Sequence, residues 1–353
     1  MKKIAIITGI TGQDGSYLAE DLLKEDVHVF GGIRRSASSP YNLQRISHLV
    51  DNPNLKLIHF DMMDACSIEK FVKTVYDHVQ DVLLLGNYIE VYHLAAQSHV
   101  GDSFRIPTVT HQVNALGVIA LLESLRTHFK NDFRFYQAST SELFGNIKTK
   151  SKAPKAITEC TPFNPESPYA IAKMAAYLTV QNYRKAYGIH AVNGILFNHE
   201  SPRRGMDFVT RKITNYVAQY ALNRVPGNRP LQLGNLKARR DWGDAREYVT
   251  AMRMMIGEND DNKITDYILA FQKIGVMVEW SGTNSRQKGR NADNGKDILI
   301  EVNKKLFRPV DVLYLIGDAS KIKNNLNWEA TVPLKHLISD MVENDIELLK
   351  KGL

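Results

Sequence analysis

Two groups of side chains in this sequence have the types and spacing for proton chemistry. Tyr169-Ala-Ile-Ala-Lys173 sets a phenol and an ammonium four residues apart, on one face of a helix and one turn from each other. A neighbouring cation favours phenolate, so the pair is expected to lower the tyrosine pKa toward the range of a general base. A packed tyrosine beside a surface lysine would have the same spacing. Ser139-Thr-Ser-Glu142 supplies hydroxyls and a carboxylate directly after an apolar run. If that run is a strand, the group lies at the carboxyl edge of the sheet, where open α/β sheets bind ligands. The same four residues also have the form of a capping box, with Glu142 as a helix-initiating acid.

A third group is built for an anion. In Gly9-Ile-Thr11-Gly12-Gln13-Asp14-Gly15 the glycines permit a tight turn and a close approach of backbone to a pyrophosphate, and a helix that follows points its N-terminus at the charge. A plain structural turn is the other reading. The next strand ends at Ile33-Arg34-Arg35, where an acid would bind the ribose of NAD and an arginine pairs with the 2′-phosphate of NADP. Two solvated arginines would look the same. Asp61, after the third apolar run, suits either the amino group of an adenine or a helix cap.

The elements that must position these groups alternate as strand and helix. Strands are predicted at Ile4 to Ile7, Val27 to Gly32, Leu55 to Phe60, Val91 to Ala95, Arg134 to Ala138 and Ala191 to Leu196. A helix carrying Tyr17, Leu18, Leu22 and Leu23 follows the first, and others are predicted at Ile68 to His78, Thr110 to His128 and Tyr169 to Tyr187. This order describes a Rossmann-type doubly wound parallel sheet. Beyond about residue 195 the periodicity loosens, with a helix from Phe208 to Asn223, another whose face carries Leu334, Leu337, Ile338, Met341 and Val342, and a polar loop at Ser281 to Lys296. We therefore divide the chain into residues 1–192, the sheet domain, and a smaller α/β domain over 193–353 at the C-terminus, with later segments free to return to the sheet.

Bulk properties narrow the class. At 353 residues and 44% apolar content the chain can bury a large core. No stretch reaches the roughly 20 apolar residues of a membrane span, and the first apolar run meets Gly9 and Gly12 too early for a secretory segment. Cys66 and Cys160 are too few for a disulfide framework and too far apart for a metal pair. These features suit reduced thiols in a cytoplasm, and no metal is expected. The net charge of +7 fits nucleic acid, a phosphate-bearing small molecule, an acidic surface, or simple solubility. Basic clusters such as Arg203-Arg204 and Lys237-Ala-Arg-Arg240 lack the aromatic interleaving of a nucleic-acid surface.

The glycine pattern and the Tyr169/Lys173 pair resemble the extended short-chain dehydrogenase/reductase family. Within it, Leu94-Ala95-Ala96-Gln-Ser98-His99, Ser139-Thr-Ser-Glu142, Asn193 to Gly205 and Arg240-Asp-Trp-Gly243 resemble the branch of GDP-mannose 4,6-dehydratases, from residue 1 to about 255 and again near Phe307-Arg308-Pro309. The resemblance implies a lyase converting GDP-mannose to GDP-4-keto-6-deoxymannose, with C4 oxidised transiently against NADP. Tyr169 with Lys173 would take the 4-hydroxyl proton, Glu142 would act at C5 and C6, and Thr140 would hold the sugar oxygen. It implies cofactor contacts at Gly9, Thr11, Gly12, Gln13, Asp14, Gly15, Arg34, Asp61, Leu94, Ala95, Ala96, Ser98, His199 and Arg204. GDP-sugar contacts are implied at Ser98, Asn198, Lys212, Arg240 and Arg308, a homodimer or homotetramer is implied through a loop at Arg35 to Arg45, and no nucleic acid or membrane partner is. The same chemistry on a related GDP-sugar such as a GDP-heptose, or a noncatalytic binding module, remain alternatives. Asp102, Asp244 and Asp311 depart from the residues that branch usually carries, and chain present in the branch is missing before Phe271.

Overall fold

The computed structural model describes residues 3–34, 43–84, 86–147, 156–260, 263–270, 288–290 and 298–352. Seven parallel strands form one sheet: β1 Ile4–Thr8, β2 His28–Ile33, β3 Leu55–His59, β4 Ile89–His93, β5 Phe133–Thr140, β6 His190–Leu196 and β7 Tyr267–Leu269, in the order β7-β6-β5-β4-β1-β2-β3. The order reverses at β1 and β4, so the crevice above their carboxyl ends is the expected ligand position. β1 is buried along its whole length, as a strand covered on both faces must be, and its run Ile4-Ala5-Ile6-Ile7 is correspondingly apolar.

Helices cover both faces. One core layer packs α1 Gln13–Lys24 and α6 Ala245–Gly257 through Leu18, Leu22, Val249 and Met252. The other packs α2 Ala65–Leu83, α3 Gly117–Phe129 and α4 Pro168–Tyr187 through Phe71, Val75, Leu121, Leu125, Ala176 and Val180. The helix expected over Thr110 to His128 is interrupted: α3 follows a π turn at Gln112–Leu116, a feature often found at functional sites. β4 ends at His93, not at Ala95: the Leu94 amide is shared between the Thr8 carbonyl and hydroxyl, each at 3.2 Å, and the Ala95 amide turns to the hydroxyl, also at 3.2 Å.

Beyond the sheet, α5 Val209–Ala221 packs against the terminal helix α7 Leu334–Lys350. Their contact encloses Arg211 and Asp345, an ion pair at 2.5 Å with both side chains fully buried. Strand Ile298–Val302 pairs parallel with Leu231–Leu233 and antiparallel with Lys288–Arg290. Lys288–Arg290 therefore forms a strand inside the stretch expected to be a loop; the rest of Ser281 to Lys296 lies outside the described residues. Ladders of two pairs, His199–Glu200 with Gly243–Asp244 and Arg239–Arg240 with Tyr314–Leu315, bind these pieces to one another.

Candidate active site

The turn between β1 and α1 is shaped by what a side chain would strike. Gly9 has φ of +74° and a Cβ there would lie 2.8 Å from the Ala95 nitrogen; a Cβ on Gly15 would lie 2.3 Å from the Gly9 carbonyl. Backbone cannot yield as a side chain can, so both positions exclude any other residue. Gly12 caps α1 without a side-chain bond, which leaves the first amides of the helix pointing at the crevice. Arg45 donates to the Thr11 carbonyl at 3.1 Å. The rest of the loop expected to reach a second copy lies almost wholly outside the described residues, as does Arg35.

Gln13 and Asp14 turn toward the segment after β6. Ser201 donates to Gln13 at 2.8 Å, and Asp14 meets His199 Nε2 at 2.9 Å. His199 Nδ1 faces the Phe197 carbonyl at 2.8 Å. A carbonyl only accepts, and so does a carboxylate, so both ring nitrogens carry protons and His199 is an imidazolium. Burial alone would push the Asp14 carboxyl up and the imidazole down; their mutual charge and bond outweigh it, lowering Asp14 and raising His199. Arg204 pairs with Glu200 at 3.1 Å and lies 3.8 Å over the Phe208 ring, against which His99 also packs.

The proton-handling residues meet at the end of β5. Thr140 caps a short 3-10 turn at Ser141–Phe144 by accepting the Glu142 amide at 3.2 Å. The cap is thus Thr140 rather than Ser139, and the capping-box reading of Glu142 fails. Burial raises the Glu142 carboxyl against the charges of Arg240 and Arg308. α4 begins with a Ser167 cap and Pro168, and its first turn brings Tyr169 close enough to Thr140 for that hydroxyl to favour the phenolate. Lys173, 4% exposed, donates to the Ala138 carbonyl at 2.8 Å.

The expected lowering of Tyr169 is overturned. Burial lifts its phenol to about 12, opposed chiefly by the Thr140 hydroxyl, while burial draws Lys173 down to about 8. The ammonium is spent on a strand carbonyl rather than on the phenol.

Of the other expected positions, Arg240 is buried and Arg308 half-buried beside Glu142. The Asn198 carbonyl accepts the Gly243 amide at 2.9 Å, which joins two of the motif stretches. Lys212 is exposed on α5, Ser98 is exposed, and Arg34 is exposed at the end of β2. Asp61 accepts the Met63 amide at 3.0 Å and does not cap α2; that role belongs to Asp64.

The family model for GDP-mannose 4,6 dehydratase matches residues 6–341. The chain belongs to the GDP-mannose 4,6-dehydratase family. It is 44% identical to a GDP-mannose 4,6 dehydratase of Drosophila melanogaster, covering 99% of this chain and 88% of that one. To that of Homo sapiens it is 42% identical, over 99% and 93%. In fold it is similar to a dTDP-glucose 4,6-dehydratase structure from Bacillus anthracis, with a TM-score of 0.74, 18% identity, and 99% and 97% of the two chains covered.

Within this member of the family, the three departures each have local work. Asp244 caps α6 and grips Arg246, which also reaches Asp340 on α7 at 2.7 Å. Asp102 pairs with His99 at 2.9 Å and with Arg105. Asp311 accepts from Asn235 at 2.9 Å. Sequence reasoning missed Asn114, whose side-chain amide exchanges two bonds of 2.9 and 2.8 Å with the backbone of Gln97 and so fixes the loop after β4. An asparagine between Val113 and Ala115, at the start of an apolar helical run, was the available signal. It also missed Thr8 and His93, buried at the ends of β1 and β4 and 2.7 Å apart.

Proposed function

We propose that this chain is a lyase that removes water from GDP-mannose to give GDP-4-keto-6-deoxymannose, using NADP. The observation that carries the reading is the convergence of Thr140, Glu142 and Tyr169 at the end of β5, with Arg240 and Arg308 facing Glu142, in a chain whose curated relatives bear that activity in their names. Support for a dinucleotide comes from the Gly9/Gly12/Gly15 cradle, which a Cβ would fill, and from Ser139, whose buried hydroxyl at the sheet edge has no hydrogen-bond partner among the described residues. Thr11, Gln13, Asp14, Asp61, Leu94, Ala95, Ala96, Ser98, His199 and Arg204 complete that binding surface, with Arg34 toward the 2′-phosphate. When bound, the nicotinamide supplies hydride chemistry, taking a hydride at C4 of the sugar and returning it at C6.

The chain's own residues handle the protons. Tyr169 takes the 4-hydroxyl proton; the neighbouring Thr140 hydroxyl and the charge of Arg204 favour the phenolate this requires, while Lys173 holds the end of β5 through the Ala138 carbonyl. The C5 proton, acidified by the 4-keto group, passes to Glu142. The same carboxyl then protonates the departing C6 hydroxyl, which leaves as water; C5 later regains a proton from solvent through Glu142, offset by the 4-hydroxyl proton that Tyr169 releases to solvent. A carboxyl raised by burial suits both halves of that duty, since its acid and base forms are then closer in energy at neutral pH. Asn198, Lys212, Arg240 and Arg308 hold the GDP moiety, the cations suiting its diphosphate.

Residues 1–192 then form the cofactor body and 193–353 mainly the substrate body, although β7 rejoins the sheet. We place the enzyme in a cytoplasm, as a homodimer or homotetramer. Exposed Ile119 on α3 and Ile171 and Leu178 on α4 support self-association; exposed free Cys66 and Cys160 support a reducing compartment. Among the described residues no helix is long and apolar enough to cross a membrane. Incubation with GDP-mannose and NADP, followed by mass spectrometry, should yield a product lighter by one water. No such product from GDP-mannose would refute the assignment, and one from another GDP-sugar alone would redirect it.

A further inference from the structure

The bond between Thr8 and His93 has a direction that hydrogen-bond counting decides. The Thr8 hydroxyl faces the amides of Leu94 and Ala95, each at 3.2 Å, the Leu94 amide being shared with the Thr8 carbonyl at the same distance. A hydroxyl has two acceptor sites and one proton. With two N–H donors aimed at its acceptor side, its proton is directed to His93 Nδ1, 2.7 Å away. Nδ1 is therefore bare, and His93 is a neutral imidazole protonated at Nε2.

Two further observations agree. His93 is 1% exposed and stacks on Phe135 at 6.0 Å. Burial, together with the charge of Lys173 on α4, holds its pKa down at about 3. A second proton on the ring would face the Thr8 oxygen with a donor and force it to release an amide, and would set a cation near Lys173.

We propose that His93 is a positioning residue of the cofactor site: as a neutral acceptor it orients the Thr8 hydroxyl, which in turn pins the Leu94–Ala95 backbone against the Gly9 turn. That backbone has little room to drift on its other side, since any Cβ on Gly9 would lie 2.8 Å from the Ala95 nitrogen. The sheet order places the carboxyl ends of β1 and β4 side by side at the point where it reverses, so the Thr8–His93 bond spans the base of the crevice. This inference rests on the reading that the Gly9 turn and Leu94 to Ser98 receive NADP.

The test uses the full-length protein and NADP as the probe. His93→Phe keeps a buried ring over Phe135 but removes the acceptor; His93→Asn offers Oδ1 near the position of Nδ1. Thr8→Val removes the hydroxyl and keeps its shape. His93→Phe and Thr8→Val are each expected to weaken NADP binding by roughly 5- to 100-fold, measured by calorimetry on folded protein checked by circular dichroism. The Thr8→Val/His93→Phe double variant should lose no more than the worse single one, and His93→Asn should recover most of the affinity. KM for NADP should move more than kcat. If His93→Phe folds and binds NADP like wild type, or if Asn and Phe are equally impaired, the proposal is overturned while the cofactor reading stands. If both His93 variants fail to fold, Thr8→Val decides: unchanged NADP affinity in that variant overturns the proposal. If wild type itself shows no NADP binding, the cofactor reading fails and the proposal falls with it.

Discussion

Replacing Glu142 by glutamine separates the two halves of the proposed reaction. The substitution is nearly isosteric, and the bond that shapes the local turn runs from the Glu142 backbone amide to Thr140, not from the carboxylate. The 3-10 turn should therefore survive. The carboxylate is mostly buried and its charge is one of the influences that raise the Tyr169 phenol. Removing that charge should lower the Tyr169 pKa, so oxidation at C4 is not impaired. Proton transfer at C5 and C6, however, loses its acceptor and donor together. Loss of a positioned acid or base costs about 100- to 10,000-fold in rate, roughly 2.7 to 5.5 kcal/mol of barrier. In a single turnover with GDP-mannose and bound NADP, the Glu142→Gln variant should accumulate reduced nicotinamide, seen by its near-ultraviolet absorbance, without forming dehydrated product. Tyr169→Phe should suppress both signals. In heavy water, the wild-type product should carry deuterium at C5. Near wild-type dehydration by Glu142→Gln, or a C5 position without deuterium, would refute the role given to this carboxyl.

Three other outcomes follow from the structure. The raised pKa of His199 means its contribution is complete below its unfolded value of about 6.5 and fades as pH rises through the higher folded value; the lowered Asp14 contributes fully above about 3.9 and fades as pH falls through its lower folded value. The loss in Tm caused by His199→Phe, which retains a ring against Tyr248, should thus be largest between those limits and shrink in alkali; a loss independent of alkaline pH would contradict the imidazolium assignment. Arg34→Ala should weaken NADP by about 10- to 100-fold with little effect on NAD, and calorimetry finding equal losses for both would remove the 2′-phosphate contact. Arg211→Met strands the fully buried Asp345 carboxylate and should cost about 3 to 5 kcal/mol in denaturant unfolding, whereas adding Asp345→Leu should recover most of it; no recovery would mean that the pair contributes more than mutual compensation.

The amino-acid order by itself determined the seven-strand pattern's first six members, the glycine turn and the residues that meet at the end of β5. Apolar runs bounded by turn residues have a period that only a strand or a helix satisfies, and Gly9 and Gly15 are required by backbone contacts that no other residue allows. Tertiary structure alone decided what those residues experience. A spacing of four puts Tyr169 and Lys173 on one face, but it does not reveal that the ammonium is taken by the Ala138 carbonyl or that burial lifts the phenol. Likewise Asp61 and Asp64 are equally good caps as residue types, and the chain's path selects Asp64. The His199 imidazolium, the Thr8–His93 bond and the place of β7 beside β6 each join segments distant in sequence. Protonation and burial are properties of three-dimensional surroundings, and periodicity carries no information about partners that far along the chain.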